Sequence, residues 1–124
     1  MTSAHLAKAL WADLMIDTQT YSDDAAHFHR EVAAMLEGVG WEVSREVRVQ
    51  DRGDGKRGRI DIVARKDGRT AAIELDCRSA RFKSLHKLAS IAADVRVVIL
   101  RRRCRPVWFS NVVVFGPQVA EVSP

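Results

Sequence analysis

The chain has 124 residues, a length that suits one domain able to bury roughly two-thirds of its unfolded surface in a single core. With 47% hydrophobic and 29% charged residues, its composition falls in the range of ordinary soluble proteins and well away from disorder. Lys and Arg number 20 against 16 Asp and Glu, and the +4 balance is uneven: residues 1–40 hold two basic and six acidic side chains, while nearly all the remaining positive charge falls in 41–105. A basic surface beside an acidic cluster suits a polyanion and its metal.

Residues 4–16 set Leu6, Leu10 and Leu14 beside Ala7, Trp11 and Met15 in two rows spaced by four, one apolar face of a helix. Trp11 is assigned to core packing, with a dimer interface as its other reading. Residues 17–22 lack periodicity and form a connector. Ser22 or Asp23 then caps a second helix through about Gly38, with Ala25, Phe28, Val32, Met35, Leu36 and Val39 on its apolar face and Gly38 and Gly40 ending it. Glu31 lies at the edge of that face, with His27 one turn before it. It either looks across the helix-sheet boundary or pairs on the surface with Arg30 or an arginine of the sheet.

Trp41, Val43, Val47 and Val49 alternate with polar residues over 41–50, which predicts a strand with one face on the core. Arg45 interrupts the apolar parity, through a twist or bulge or by reaching toward the acids of the next strand. Residues 51–58 form a charged, glycine-rich loop without the spacing of a phosphate-binding P-loop. Two strands over 59–65 and 70–76 are joined by a turn at 66–69. Ser79 caps a third helix whose buried stripe is Phe82, Leu85, Leu88, Ala89 and Ala92, which leaves Lys83 and Lys87 on the exposed face. Residues 95–100 are a strand, Arg101, Arg102 and Arg103 follow it, and 111–115 are another after the Pro106 break. The expected architecture is an α/β sandwich: three strands, a crossover helix and two more strands, with 95–100 parallel to the central strand through a right-handed crossover.

Within this frame Asp61 stands between Ile60 and Ile62, while Glu74 and Asp76 flank Leu75 on one face of the next strand. Carboxylates among apolar strand residues are costly unless a cation, a proton or several donors meet them. Two solutions are open. One is a hard divalent cation held by oxygen ligands, and the other is ion pairing with Arg45, Arg59, Arg78 and Arg81. His27 and His29, two apart on a helix, point different ways and do not build a zinc site together. Cys77 and Cys104 have no zinc-type spacing and read as free buried thiols in a reducing compartment, with a disulfide between them as the alternative. Trp41, Trp108 and Phe109 are assigned to core or interface packing rather than to base stacking. No segment has the length of a membrane span or the pattern of a signal peptide, so a cytoplasmic location is expected.

At Glu31, Asp61, Glu74 and Asp76 the chain resembles the PD-(D/E)XK nuclease superfamily, in which a helix glutamate precedes an Asp on one strand and an acid-x-Lys on the next. The resemblance covers about residues 23–115 and implies a restriction-endonuclease-like core of order αβββαβ with a central mixed sheet, to which the first helix is an addition. Ile60 stands where the family has proline, and Asp76 where it has lysine. Some members supply the lysine from the following helix, where Lys83 and Lys87 stand. The resemblance implies a metal-dependent DNA endonuclease, with Asp61, Glu74, Asp76 and the carbonyl of Leu75 holding Mg²⁺ (Mn²⁺ as substitute). Glu31 would act through water, Lys83 would be the catalytic cation, and Arg78, Arg81, Lys83 and Lys87 would contact the DNA backbone. A homodimer is expected if both strands are cut. A domain this small leaves little room beyond its core for a base-reading module, so low sequence specificity is expected. The alternatives are a nuclease fold that binds nucleic acid without cleaving it, favoured by Asp76 in the lysine position, and a protein-interaction domain.

Overall fold

A computed structural model of the chain describes residues 3–14, 24–49 and 57–117. Three helices and six strands follow in the order α1 (Ser3–Leu14), α2 (Ala25–Gly38), β1 (Glu42–Val49), β2 (Gly58–Lys66), β3 (Arg69–Asp76), α3 (Phe82–Ala89), β4 (Val95–Leu100), β5 (Val107–Phe109) and β6 (Val112–Phe115). The strands form one mixed sheet of order β1-β2-β3-β4-β6-β5. The pairs β1-β2, β2-β3 and β5-β6 are antiparallel, while β4 runs parallel to both β3 and β6. Parallel β3 and β4 are joined by α3, as a crossover requires. The protein is therefore a mixed α/β fold. No helix among the described residues is long and apolar enough to cross a membrane.

Alternation along the central strands feeds two apolar layers. Ile62, Ala64, Ala71, Ile73, Leu75, Val97 and Ile99 pack against Leu6 and Leu10 of α1 and Phe28, Val32 and Leu36 of α2. On the other face Ile60, Val63, Ala72, Val98, Leu100, Val112 and Val114 pack against Leu88 of α3. Burial of these side chains on both faces, at ~25 cal/mol per Å² of apolar surface removed from water, is the main stabilising term.

The predicted helices and strands form, with local corrections. Asp24 caps α2, accepting the His27 N–H at 2.9 Å, in place of Ser22 or Asp23. That bond holds the Asp24 carboxyl below the usual carboxylate range. Arg81 occupies the N-cap of α3 in place of Ser79, and the cap's backbone N–H is met from upstream by Asp76 Oδ2 at 3.0 Å. The turn at 66–69 has Asp67 at φ 52° and Gly68 at φ 74°, the left-handed pair that matches the twist of a tight hairpin. The final apolar run is a hairpin, so the sheet has a sixth strand, β5, at its edge. Trp41 is buried, but Trp108 and Phe109 are 45% and 52% exposed on β5 rather than in the core. Cys77 and Cys104 are free, Cys77 exposed and Cys104 half-buried, so neither is the buried thiol expected. The side chain of Trp11, the connector 17–22, loop residues 51–56 and the tail 118–124 lie outside the described residues.

The interruption at Arg45 is a change of parity. Trp41 and Val43 pack in the α2-side layer, whereas Val47 and Val49, also odd-numbered, pack in the α3-side layer. Between them Glu46 has φ 54°, and the β1-β2 ladder skips the Glu46/Asp61 pair. A left-handed residue in mid-strand turns the chain over, and Asp61 sits opposite the turn.

The 101–105 segment is fixed by Gly116. Its N–H donates to the Cys104 carbonyl at 2.9 Å, and a Cβ at this position would overlap the Arg102 carbonyl oxygen. Gly116→Ala is expected to destabilise the fold by about 1–3 kcal/mol, since a backbone atom must move to admit the methyl. Urea denaturation would measure it, and an unchanged midpoint would show that the segment is not held against β6.

Candidate functional site

Asp61 and Glu74 are the residues at which the β2-β3 ladder stops. Regular pairing runs from Lys66↔Arg69 to Ile62↔Ile73 and ends there. Beyond it the two carboxylates replace ladder carbonyls: Glu74 Oε2 accepts the Asp61 N–H at 2.8 Å, and Asp61 Oδ2 accepts the Leu75 N–H at 2.8 Å. Each acid satisfies a backbone donor of the strand opposite. The strands thus splay while their polar groups stay partnered.

Glu74 is fully buried, turned toward α3. Lys87 meets it there, its Nζ in ion-pair contact with Glu74 Oε1 and donating to the Arg59 carbonyl at 2.9 Å. Lys87 is therefore buried beneath the helix and not on its exposed face. The buried side of α3 is Ser84, Lys87 and Leu88, while Phe82, expected in the stripe, is 83% exposed. Lys83 is exposed, as are Arg78 and Arg81. Arg96 fixes the other end of the helix, donating from Nε to the Leu88 carbonyl and from Nη2 to the Ile91 carbonyl, both at 2.8 Å. Burial, and after it the charge of Asp61, pushes the Glu74 carboxyl up to about 7, against the opposing hydrogen bond and charge of Lys87.

Asp76 shares the face of Glu74, as the period of two predicts, but it is already paired. Its Oδ1 accepts Arg81 Nε at 2.8 Å and its Oδ2 accepts the Arg81 N–H. It serves as an anchor for the start of α3.

A cleft of about 260 Å³ opens at the carboxyl end of β3, lined by Phe28 and His29 of α2, by Asp61, and by Asp76, Arg81 and Arg101. The Arg101 guanidinium stands over the Phe28 ring at 5.8 Å. Glu31 is not among the lining residues. It lies on the opposite flank of the α2 apolar stripe from His29, with its carboxylate 3.8 Å from His27. The structure thus brings together Asp61, Glu74, Asp76, Arg81 and Lys87, and leaves Glu31, Lys83 and Arg78 outside. His29, Glu46 and Arg101 are the additions. His29 was legible in principle, because it falls at i+4 from Ala25 and i−3 from Val32 on the packed side of the helix.

A larger groove of about 460 Å³ is lined by Arg48, Val49, Arg57, Gly58 and Arg59. Arg48 and Arg59 are direct partners across β1-β2. Like charges opposite one another in a sheet repel, and among the described residues no carboxylate lines this groove.

No protein-family model matches the chain, and a search of characterised proteins found no match. Among solved structures it is similar to a protein of unknown function, AF1548, with 23% identity and a TM-score of 0.46 over 58% of this chain. The chain spans 44% of that protein's length. Fold and site together define a mixed α/β protein with a buried Glu-Lys pair and, at the carboxyl end of β3, a cleft lined by both acids and arginines.

The raised Glu74 carboxyl ties stability to pH. The folded state holds its proton up to about 7 and the unfolded chain only to about 4.5, so this contribution is complete below 4.5 and is lost as pH rises through 7. Its size is on the order of 3 kcal/mol. Glu74→Gln is expected to flatten the pH dependence of denaturation in that window. Lys87→Met, which strands the carboxylate, is expected to cost about 3–5 kcal/mol above pH 7 and less near pH 5. Equal losses at both pH values would show that Glu74 does not take up the proton.

Proposed function

We propose that the chain is a nuclease: a metal-dependent endonuclease with a restriction-endonuclease-like core, hydrolysing DNA phosphodiester bonds with low sequence specificity. The observation that carries this reading is the interlock of Asp61 and Glu74 at the splayed strand ends, with a buried lysine on Glu74 and two arginines at the adjoining cleft. Buried acids fixed by backbone donors beside cations suit phosphoryl chemistry, where positioning and charge neutralisation do most of the work.

In this reading Lys87, supplied from α3, takes the role first given to Lys83. Its ammonium, set between Glu74 and the Arg59 carbonyl, balances charge at the centre of the site. Arg81 and Arg101, at the cleft wall, grip the scissile phosphate through charge-assisted hydrogen bonds. Asp61, whose Oδ2 is held by Leu75, orients the attacking water with its other oxygen. A divalent cation, when bound, supplies Lewis-acid stabilisation and a more acidic water. The four groups first expected to hold Mg²⁺ do not fit as a shell, because both oxygens of Glu74 and both of Asp76 already have protein partners.

The arginine groove supports a polyanionic substrate. Val47, Val49 and Ile60 pack in the α3-side layer, so alternation turns Arg48 and Arg59 to the opposite face, the one that carries His29. A phosphate backbone laid there relieves the repulsion between them. Arg78, Lys83 and the exposed arginines of 101–105 extend the basic surface. A symmetric dimer belongs to the proposal where both strands are cut.

One observation favours a second reading, binding without cleavage: Glu74 and Asp76 each carry a cation partner in the resting fold. Supercoiled plasmid with Mn²⁺ or Mg²⁺ separates the two. The parent is expected to nick or linearise it, and Asp61→Asn and Lys87→Met to lose about 100-fold or more in rate while DNA affinity stays within a few-fold. Retained affinity with no cutting by the parent selects the binding protein, and no affinity at low salt removes both readings. Arg48→Ala and Arg59→Ala are each expected to weaken binding irrespective of sequence and to reduce the slope of log K against log salt by about 1. Unchanged salt slopes would remove the groove from the interface.

A further inference from the structure

We infer that His29, Glu46 and Asp61 form a binding site for a divalent transition-metal ion, of the Mn²⁺ or Zn²⁺ kind, in place of the Mg²⁺ shell of Asp61, Glu74 and Asp76. The site deepens the nuclease reading, on which its use in catalysis rests.

The three residues come from α2, β1 and β2, and one ligand atom from each lies within 4.8 Å of the others. An ion about 2.1 Å from each ligand spaces them about 3.0 Å apart when adjacent and about 4.2 Å apart when opposite. Three ligand atoms that all lie within 4.8 Å of one another can meet this spacing with at most small side-chain rotations. Glu46 is exposed and able to make them, since among the described residues no hydrogen bond or ion pair holds its carboxylate. The imidazole of His29 has one contact, an edge-on approach to Phe28 with centroids 6.2 Å apart. Its ring nitrogens have no partner among the described residues. Asp61 is pinned through Oδ2 by the Leu75 N–H, the kind of outer support that aims a metal-binding carboxylate.

Charge points the same way. Two carboxylates and an imidazole converge with no lysine or arginine among the described residues paired to any of the three, whereas Glu74 and Asp76 each have one. An ion between Glu46 and Asp61 offsets their repulsion. One nitrogen and two carboxylate oxygens suit borderline ions better than Mg²⁺, which prefers an all-oxygen octahedron rich in water. The position is serviceable as well, because His29 and Asp61 line the cleft that also holds Arg81 and Arg101. A phosphate held by those guanidiniums would lie beside the ion.

The test uses metal alone, without DNA. MnCl₂, ZnCl₂ and MgCl₂ are titrated calorimetrically into the full chain freed of metal by chelation, and bound Mn²⁺ is followed by electron paramagnetic resonance. The parent is expected to bind one Mn²⁺ at least tenfold more tightly than Mg²⁺. His29→Ala should lower Mn²⁺ affinity tenfold or more and erase the preference over Mg²⁺. Glu46→Gln, at an exposed position, should also lower Mn²⁺ affinity without altering the unfolding curve. Mn²⁺ affinity unchanged in both variants overturns the site, as does an affinity lost only in Glu74→Gln. A parent that binds Mn²⁺ through His29 yet cuts no DNA leaves the site standing and removes the nuclease. A parent that cuts DNA while His29→Ala binds Mn²⁺ normally does the reverse.

Discussion

The reciprocal hydrogen bonds between the carboxylates of Asp61 and Glu74 and the backbone donors of each other's strands set most of the local structure. Because side-chain oxygens replace ladder carbonyls, β2 and β3 separate at this point without orphaning their N–H groups. That places a carboxylate, Glu74, in the interior, where desolvation opposes its charge and a cation is needed. Lys87 meets the need, and its position follows from α3 being anchored at both ends. Asp76 holds Arg81 at the start, and Arg96 holds the Leu88 and Ile91 carbonyls at the finish. With only eight residues, α3 has little helical stability of its own, so these anchors and the buried pair decide which way it faces.

Much of this was legible in the sequence. Alternation over 59–76 located both central strands and set Glu74 and Asp76 on one face, and the apolar runs placed α2, β1 and β4 to within a residue or two. The rotation of α3 was not legible. Hydrophobicity favours a stripe through Phe82 and Leu85, but the buried side is set by a charge, since Glu74 draws Lys87 inward and Phe82 turns out to solvent. The helix contribution to the cleft was not legible for a related reason. Glu31 and His29 occupy opposite flanks of the α2 stripe, and only packing tells which flank meets Asp61. Glu46 was hidden because a left-handed residue in mid-strand leaves no compositional mark when it is not glycine or asparagine.

Charge is arranged in two zones. The cleft combines cations with acids and an imidazole, whereas the described residues of the groove along β1 and β2 include arginines and no acids. In the proposed reading the first arrangement serves reaction at one phosphate and the second holds others of a polymeric substrate. The arginines after β4 begin at the cleft and lead to β5, where Trp108 and Phe109 are open to solvent. Gly116 fixes the course of that segment, so the basic surface there is set by the fold.

The measurement that bears most directly on the site is a pH titration of backbone amide shifts by nuclear magnetic resonance, read at Asp61 and Leu75. If the two carboxylates clasp the opposite strands, both amides exchange slowly with solvent, and the Asp61 amide shift moves with a midpoint near the raised value of about 7 as Glu74 ionises. Glu74→Gln abolishes that inflection and leaves slow exchange at Leu75. Fast exchange at both amides would contradict the clasp and with it the placement of Lys87 and the cleft, whereas an Asp61 shift that does not respond between pH 5 and pH 8 would show that Glu74 takes up no proton there.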